Sequence, residues 1–208
     1  MYVPSHFAED RVDVLHDAIR QAGLATLVSM TDDGLIASHI PLLIDPNPAP
    51  YGTLVGHLAK ANPHAGSGGR DALVIWQGLD GYISPSLYET KKQNAKVVPT
   101  WNYVAIHAHG RMEVFSDPDR LLDVVTRLTD RHERKQAEPW AVSDAPADFV
   151  QTMLRGIVGI SIPIERLRGK VKMSQNRPEI DRRSVESGLR ADGKTGLAEL
   201  VATGRIAL

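Results

Sequence analysis

The sequence predicts an α+β fold, mainly β, in which a run of strands builds a barrel-like sheet with flanking helices and a helical C-terminal part. Two observations carry this. Extended, apolar segments follow one another up to residue 115, whereas helical periodicity dominates only after Asp117. No Gly-x-Gly-x-x-Gly follows a strand and no P-loop occurs, so the alternating βαβ sheet of the usual nucleotide-binding folds is not supported.

Each element has a local reason. Residues 9–22 read as a helix, because Val12, Leu15 and Ile19 share one face and Gly23 is a natural stop. Residues 24–30 and 35–44 read as two strands joined at Thr31-Asp32-Asp33-Gly34, where Asp-Gly tolerates the positive φ of a hairpin turn. The stretch from Asp45 to Pro50 is a Pro-rich connection. Residues 53–57 form a strand running into a short helical turn that Pro63 must end, and residues 65–71 a Gly-rich loop. Residues 72–77 make a third apolar strand, and 97–115 a long extended region broken near Gly110. Asp117-Pro118 then opens a helix to about His132, with Asp as N-cap and Pro at the first helical position. A further helix fits 147–155, a β-branched strand fits 156–162, Pro178 opens a helix to about Arg190, and a final short helix follows Gly196. Neither an internal repeat nor a low-complexity tract is evident. Residues 1–165 read as one domain, with 166–208 a basic and helical extension packed on it.

Composition narrows the function classes. The chain has 208 residues, 42% hydrophobic and 24% charged, with a formal net charge of −1. That balance gives no global attraction to nucleic acid or an anionic membrane. Zero cysteines exclude disulfides, thiolate catalysis and cysteine-based metal centres, which suits a cytoplasmic location. The N-terminus lacks a cationic start followed by an apolar stretch, so no secretory leader is expected, and no segment approaches the ~20 apolar residues of a membrane span.

Four short segments could carry a ligand. Val98-Pro99-Thr100-Trp101-Asn102-Tyr103 gathers two aromatics around an amide in a chain only 5% aromatic. A planar heteroaromatic ligand needs such stacking area with a few placed polar groups, although strand residues packing a core look the same. Alternation puts Trp101 and Tyr103 on one face and Asn102 on the other. The ring wall and the amide therefore cannot both face one ligand unless the strand bends or a second subunit supplies one of them. The preferred reading has Asn102 or its neighbouring backbone meet the ligand and the rings brace an interface between subunits. Gly56 to Pro63 offers His57, Lys60 and Asn62 where a strand would feed a helix N-terminus, a phosphate cradle or equally a solvated face. Gly81 to Tyr88 offers rings and hydroxyls, or simply a loop. Lys170 to Arg177 combines cations, amides and a hydroxyl, able to favour the negative charge of a reduced flavin, or to form a charged surface strand. His107 and His109 share a strand face, yet no carboxylate partner stands out and no metal is expected. Residues 165–183 are locally basic, without a convincing helix-turn-helix.

In this order the pieces resemble the PaiB-type FMN-binding negative transcriptional regulators, within the FMN-binding split β-barrel superfamily. The matching stretches are Met1-Tyr2-Val3-Pro4 with His6-Phe7, His39-Ile40-Pro41-Leu42, Gly56 to Pro63, Tyr82-Ile83-Ser84-Pro85, Val98 to Tyr103, His132-Glu133, Gly156-Ile157-Val158-Gly159 and Lys172-Met173-Ser174-Gln175-Asn176-Arg177. The resemblance implies a homodimer with FMN in two equivalent clefts at the subunit interface. It places the phosphate against His57, Leu58, Ala59, Lys60 and Asn62. It assigns the rest of the cofactor to Tyr82, Ser84, Thr100, Trp101, Asn102, Lys172, Ser174, Gln175 and Asn176. The chain departs from the pattern at Leu87, where members commonly have Trp, which removes the basis for an aromatic contact there. Regulation of genes, and any contact with DNA, is implied by the resemblance alone; in its best-known member the family is linked to negative control of sporulation and degradative-enzyme genes. The alternative is a flavin-dependent oxidoreductase or reductase using a nicotinamide donor, which would use the same cleft.

Overall fold

The structure is a computed structural model and describes residues 1–206 and 208. In chain order its elements are β1 (Ala8–Glu9), α1 (Val12–Gln21), β2 (Leu24–Thr31), β3 (Gly34–Pro41), β4 (Leu43–Asp45), β5 (Thr53–Ala59), β6 (Asp71–Ile83), α2 (Lys91–Asn94), β7 (Thr100–Arg111), β8 (Glu113–Phe115), α3 (Pro118–Glu133), α4 (Ala147–Leu154), β9 (Ile157–Lys172), α5 (Glu179–Ala191) and α6 (Thr195–Thr203). The strands follow the order β3-β2-β6-β7-β9-β5-β4, with β1 and β8 each added to β9. The β1–β9, β2–β3, β2–β6, β4–β5, β5–β9 and β8–β9 ladders are antiparallel. The chain divides into two compact units, residues 1–21, 76–107 and 168–208 in one, and 22–75 and 108–167 in the other.

The second unit is built on the β2–β3 hairpin. Thr31 pairs with Gly34, leaving Asp32 and Asp33 as the turn, and the positive φ of 111° falls on Gly34 itself. The Thr31 hydroxyl clasps this turn by accepting from the Asp33 N–H and donating to the Gly34 carbonyl. The expected strand over 35–44 is interrupted at Leu42, which is buried and whose carbonyl accepts from Arg131; β4 then pairs with β5 instead of continuing the hairpin. The helix expected after Asp117 forms as α3, with Asp117 accepting from the Arg120 N–H. Its Leu121, Val124 and Leu128 pack with Leu43, Phe115 and Leu154. The extended region ends at Met112, two residues beyond the expected break. Met112 bonds to Gly69 and Arg70 through its backbone and so leaves the ladder. Gly110 is required for another reason, since a Cβ there would lie 2.0 Å from the Pro163 carbonyl oxygen.

The first unit holds α1, the ends of the long strands, and the pair α5 and α6. Its core gathers Ile83, Tyr88, Val104, Val171, Met173, Val185, Leu189, Leu197 and Val201. Leu87 packs on this core and against Gly188. Strands β6 and β9 run well past the apolar windows that announced them, and α2 is an element the sequence did not announce. The segment from Gly81 to Ile83 is therefore strand rather than loop; a short 3-10 turn, Pro85–Leu87, follows it.

Candidate functional site

Two polar clusters contain the residues singled out by sequence, one in each unit. In the first unit, β7 alternates as expected. Trp101 is 52% exposed and Tyr103 half-buried, whereas Asn102 is 0% exposed. The Asn102 amide donates to the Ser174 hydroxyl at 3.0 Å, and that hydroxyl donates back to the amide oxygen at 3.2 Å. Ser174 follows the end of β9 in a left-handed conformation, φ 60°, and its carbonyl accepts from the Arg177 N–H. The Asn102 side chain thus faces Ser174 and fixes the turn after β9. Gln175 is also turned inward. Its oxygen accepts from the Met173 N–H at 2.6 Å and its amide donates to the Val171 carbonyl.

Lys172 ends β9 with its ammonium donating to the Thr100 hydroxyl. Burial foremost, with repulsion from Lys170 and Arg177 against an opposing pull from Tyr103, holds this ammonium below the usual lysine range. The rings of Tyr82 and Trp101 meet edge to face at 6.1 Å between centroids, both about half exposed. Ser84 caps the following turn by accepting from the Ser86 N–H, and Asn176 is exposed. The Arg177 guanidinium lies 4.6 Å over the Tyr88 ring.

The second unit holds the other set. His57 sits on β5 with its Nδ1 buried and unpaired, and burial lowers its basicity. Leu58 is inside and Ala59 and Lys60 are exposed. Ahead of Pro63 a single hydrogen-bonded turn forms, closed by the Asn62 N–H on the Ala59 carbonyl, but no helix follows from it. Pro63 instead begins a 3-10 turn, Pro63–Gly66, which Asn62 caps. The phosphate cradle expected of a helix N-terminus therefore lacks its helix. The N–H groups of Lys60, Asn62 and His64 donate to Gly156, Ala59 and the Asn62 side chain. Asn62 also donates to the Ser38 hydroxyl at 3.0 Å, and that hydroxyl lies 2.8 Å from the Nδ1 of fully buried His64.

Ser38 and His64 escaped sequence reasoning, although His64 follows directly on Asn62-Pro63. Lys170, the first residue of the fourth candidate segment, is 7% exposed, and its ammonium donates to the Tyr2 carbonyl. Among the described residues, no three His, Asp or Glu groups converge to hold a metal, and no helix is long and apolar enough to cross a membrane. The donor set of the first unit fits an anionic heteroaromatic. It presents the partly buried cation Lys172 and the hydroxyl of Thr100, with half-exposed rings on the same strand end.

The antiparallel, mainly β sheet with flanking helices is a split β-barrel. The FAD and heme binding protein of Mycobacterium smegmatis shares the fold at a TM-score of 0.60 and 19% identity, over 87% of this chain and 80% of its own. The flavocytochrome Anf3 from Azotobacter vinelandii does so at a TM-score of 0.60 and 14% identity, over 82% and 72%. The family described as "Putative FMN-binding domain" matches residues 1–166. A Bacillus subtilis protein named protease synthase and sporulation protein PAI 2 is 30% identical over 187 residues, 89% of this chain and 87% of its own. An uncharacterized protein of Emericella nidulans is 32% identical over 90% of each chain. The chain belongs to this PaiB-type FMN-binding family, and its cofactor is FMN.

Proposed function

We propose that the protein is a homodimeric, FMN-dependent negative regulator that reads redox state or a small ligand through its flavin. The observation that carries the reading is the cationic, partly buried Lys172–Thr100 pair, on the strand end that also bears the exposed Tyr82 and Trp101 rings. FMN supplies reversible electron uptake. Lys172 and the Thr100 hydroxyl bind its polar edge, and the positive charge favours the negative charge that reduction adds. Tyr82 and Trp101 supply apolar surface for the ring system and the subunit interface. Ser84 and exposed Asn176 add donors at the rim. Asn102, Ser174 and Gln175 act one step behind, holding the turn that places Lys172. Lys60 and His57 serve the phosphate as side chains, with Leu58, Ala59 and Asn62 setting their backbone.

A regulatory output is supported by the Bacillus subtilis relative, whose name links it to protease synthesis and sporulation. With a net charge of −1, the protein acts on genes through a partner rather than by strong DNA affinity of its own. A visible spectrum after reconstitution with FMN tests the cofactor site. Flavin bands that Lys172→Met weakens support it, and bands that Lys172→Met leaves untouched overturn it. Anaerobic mixing with NADH or NADPH tests the output. Negligible reduction supports the regulator, whereas rapid multiple turnover would make the protein a reductase.

A further inference from the structure

We propose that Lys170 is a positioning residue whose charge tunes the ammonium of Lys172 and, through it, the reduction potential of bound FMN. This rests on the assignment of Lys172 to the flavin. Lys170 and Lys172 stand two residues apart on β9, so they leave the same face of the strand about 7 Å apart. Lys170 is 7% exposed, and among the described residues its ammonium meets a carbonyl and two rings and no carboxylate within ion-pair distance. It donates to the Tyr2 carbonyl at 3.1 Å and lies 5.0 Å from the Tyr103 ring centroid and 5.6 Å from that of Tyr2.

The surroundings of the two lysines are rich in cations and rings. Arg177 approaches from the turn before α5, Tyr103 from β7, and Tyr2 and Phe7 from the N-terminal segment. The Phe7 ring lies 6.0 Å from the Lys172 ammonium. The carboxylates on adjoining elements are committed elsewhere. Glu9 on β1 is bound by Arg11, and Asp181 on α5 accepts from the Thr90 N–H and hydroxyl. Among the described residues no carboxylate forms an ion pair with Lys170, Lys172 or Arg177. Ring quadrupoles and a carbonyl offset only part of the cost of burying a cation. The cations therefore repel one another, and neutralising one raises the proton affinity of its neighbours. A ligand that gains negative charge at Lys172 relieves this repulsion, so the cluster favours the reduced flavin beyond what one lysine would.

The test uses the full chain and two readouts. The first is the rate at which acetic anhydride acetylates Lys172 at pH 8.5 in the FMN-free protein, read by peptide mass spectrometry; only the neutral amine reacts. Lys170→Gln should slow this about two- to tenfold, and Lys170→Arg should restore the wild-type rate because it keeps the charge. The second is the midpoint potential of the FMN-loaded protein. Lys172→Met should make it more negative, Lys170→Gln should do so by less, and Lys170→Arg should leave it in place. Should Lys170→Gln not fold, Arg177→Gln removes a second cation and should slow the same acetylation. An unchanged acetylation rate in these variants overturns the coupling. Slowed acetylation with a potential that moves for Lys172→Met but not for Lys170→Gln overturns the redox role and leaves the flavin assignment standing. A potential that neither substitution moves overturns the flavin assignment itself.

Discussion

Around Asn62, amide, hydroxyl and imidazole close on one another: Asn62 to Ser38, Ser38 to His64, and the His64 N–H back to Asn62. Around Asn102, amide and hydroxyl close in the same way through Ser174, but Lys170, Lys172 and Arg177 stand close by and, among the described residues, form no ion pair with a carboxylate. The same polar residue types thus do two jobs. The first network spends its hydrogen-bonding capacity on holding a 3-10 turn to a hairpin. The second spends only its neutral members on holding a turn and leaves positive charge for something that arrives from outside. A polar cluster points to a ligand when its charge is unbalanced after the internal bonds are counted, not merely when it is polar.

The largest expected effect tests the closed network. His64→Ala removes a fully buried ring and the partner of the Ser38 hydroxyl, and should cost about 3 kcal/mol in urea unfolding. A cost below about 1 kcal/mol would show that the network is not structural. Next, Asn102→Ala leaves a buried hydroxyl without its partner and should cost about 2 kcal/mol; adding Ser174→Ala should recover part of that, because no polar group is then left orphaned. Lys172→Met should behave in the opposite manner. Stability should change by about 0.5 kcal/mol or less while FMN affinity, followed by fluorescence titration, falls about ten- to hundredfold. Loss of stability without loss of affinity would erase the distinction between the two clusters. Lys60→Gln should weaken FMN by up to about tenfold and Lys92→Gln not at all, since Lys92 already pairs with Glu89; equal effects would remove the phosphate from His57 and Lys60.

The smallest effect concerns pH. Burial holds His57 and His64 below their ordinary value of 6.5, for His64 against an opposing backbone bond from Ile36. In the folded chain they stay neutral as pH falls through about 6.5, whereas the unfolded chain takes up protons. The unfolded state then binds more protons, so stability declines on acidification and levels off only below the folded-state values. Thermal melts between pH 7.5 and 5 should show this decline, and His57→Phe should flatten it.

Much of the fold was legible because its signals are local. Asp117-Pro118 capped a helix, Gly34 closed a hairpin, and the alternation of Trp101, Asn102 and Tyr103 followed from strand geometry alone. The misread segments are those decided by partners far along the chain. Pro63 begins a 3-10 turn rather than ending a helical one, because Asn62 accepts from the His64 N–H and donates to Ser38 on β3. The break expected near Gly110 falls at Met112, between β7 and β8, because Gly69 and Arg70 claim its backbone. The candidate residues were legible as types, and their directions only in part. Asn102 and Gln175 look like ligand groups in sequence and turn out to be bonded inward.

The sequence by itself determined most of the element types, the family and hence FMN, since periodicity, caps and motif spacing are properties of neighbouring residues. Only the tertiary structure decided which polar groups are already spent and which cations are left over. Lys170 meets Tyr2 across a separation of 168 residues, and whether a charge has a counter-ion depends on every element folded against it.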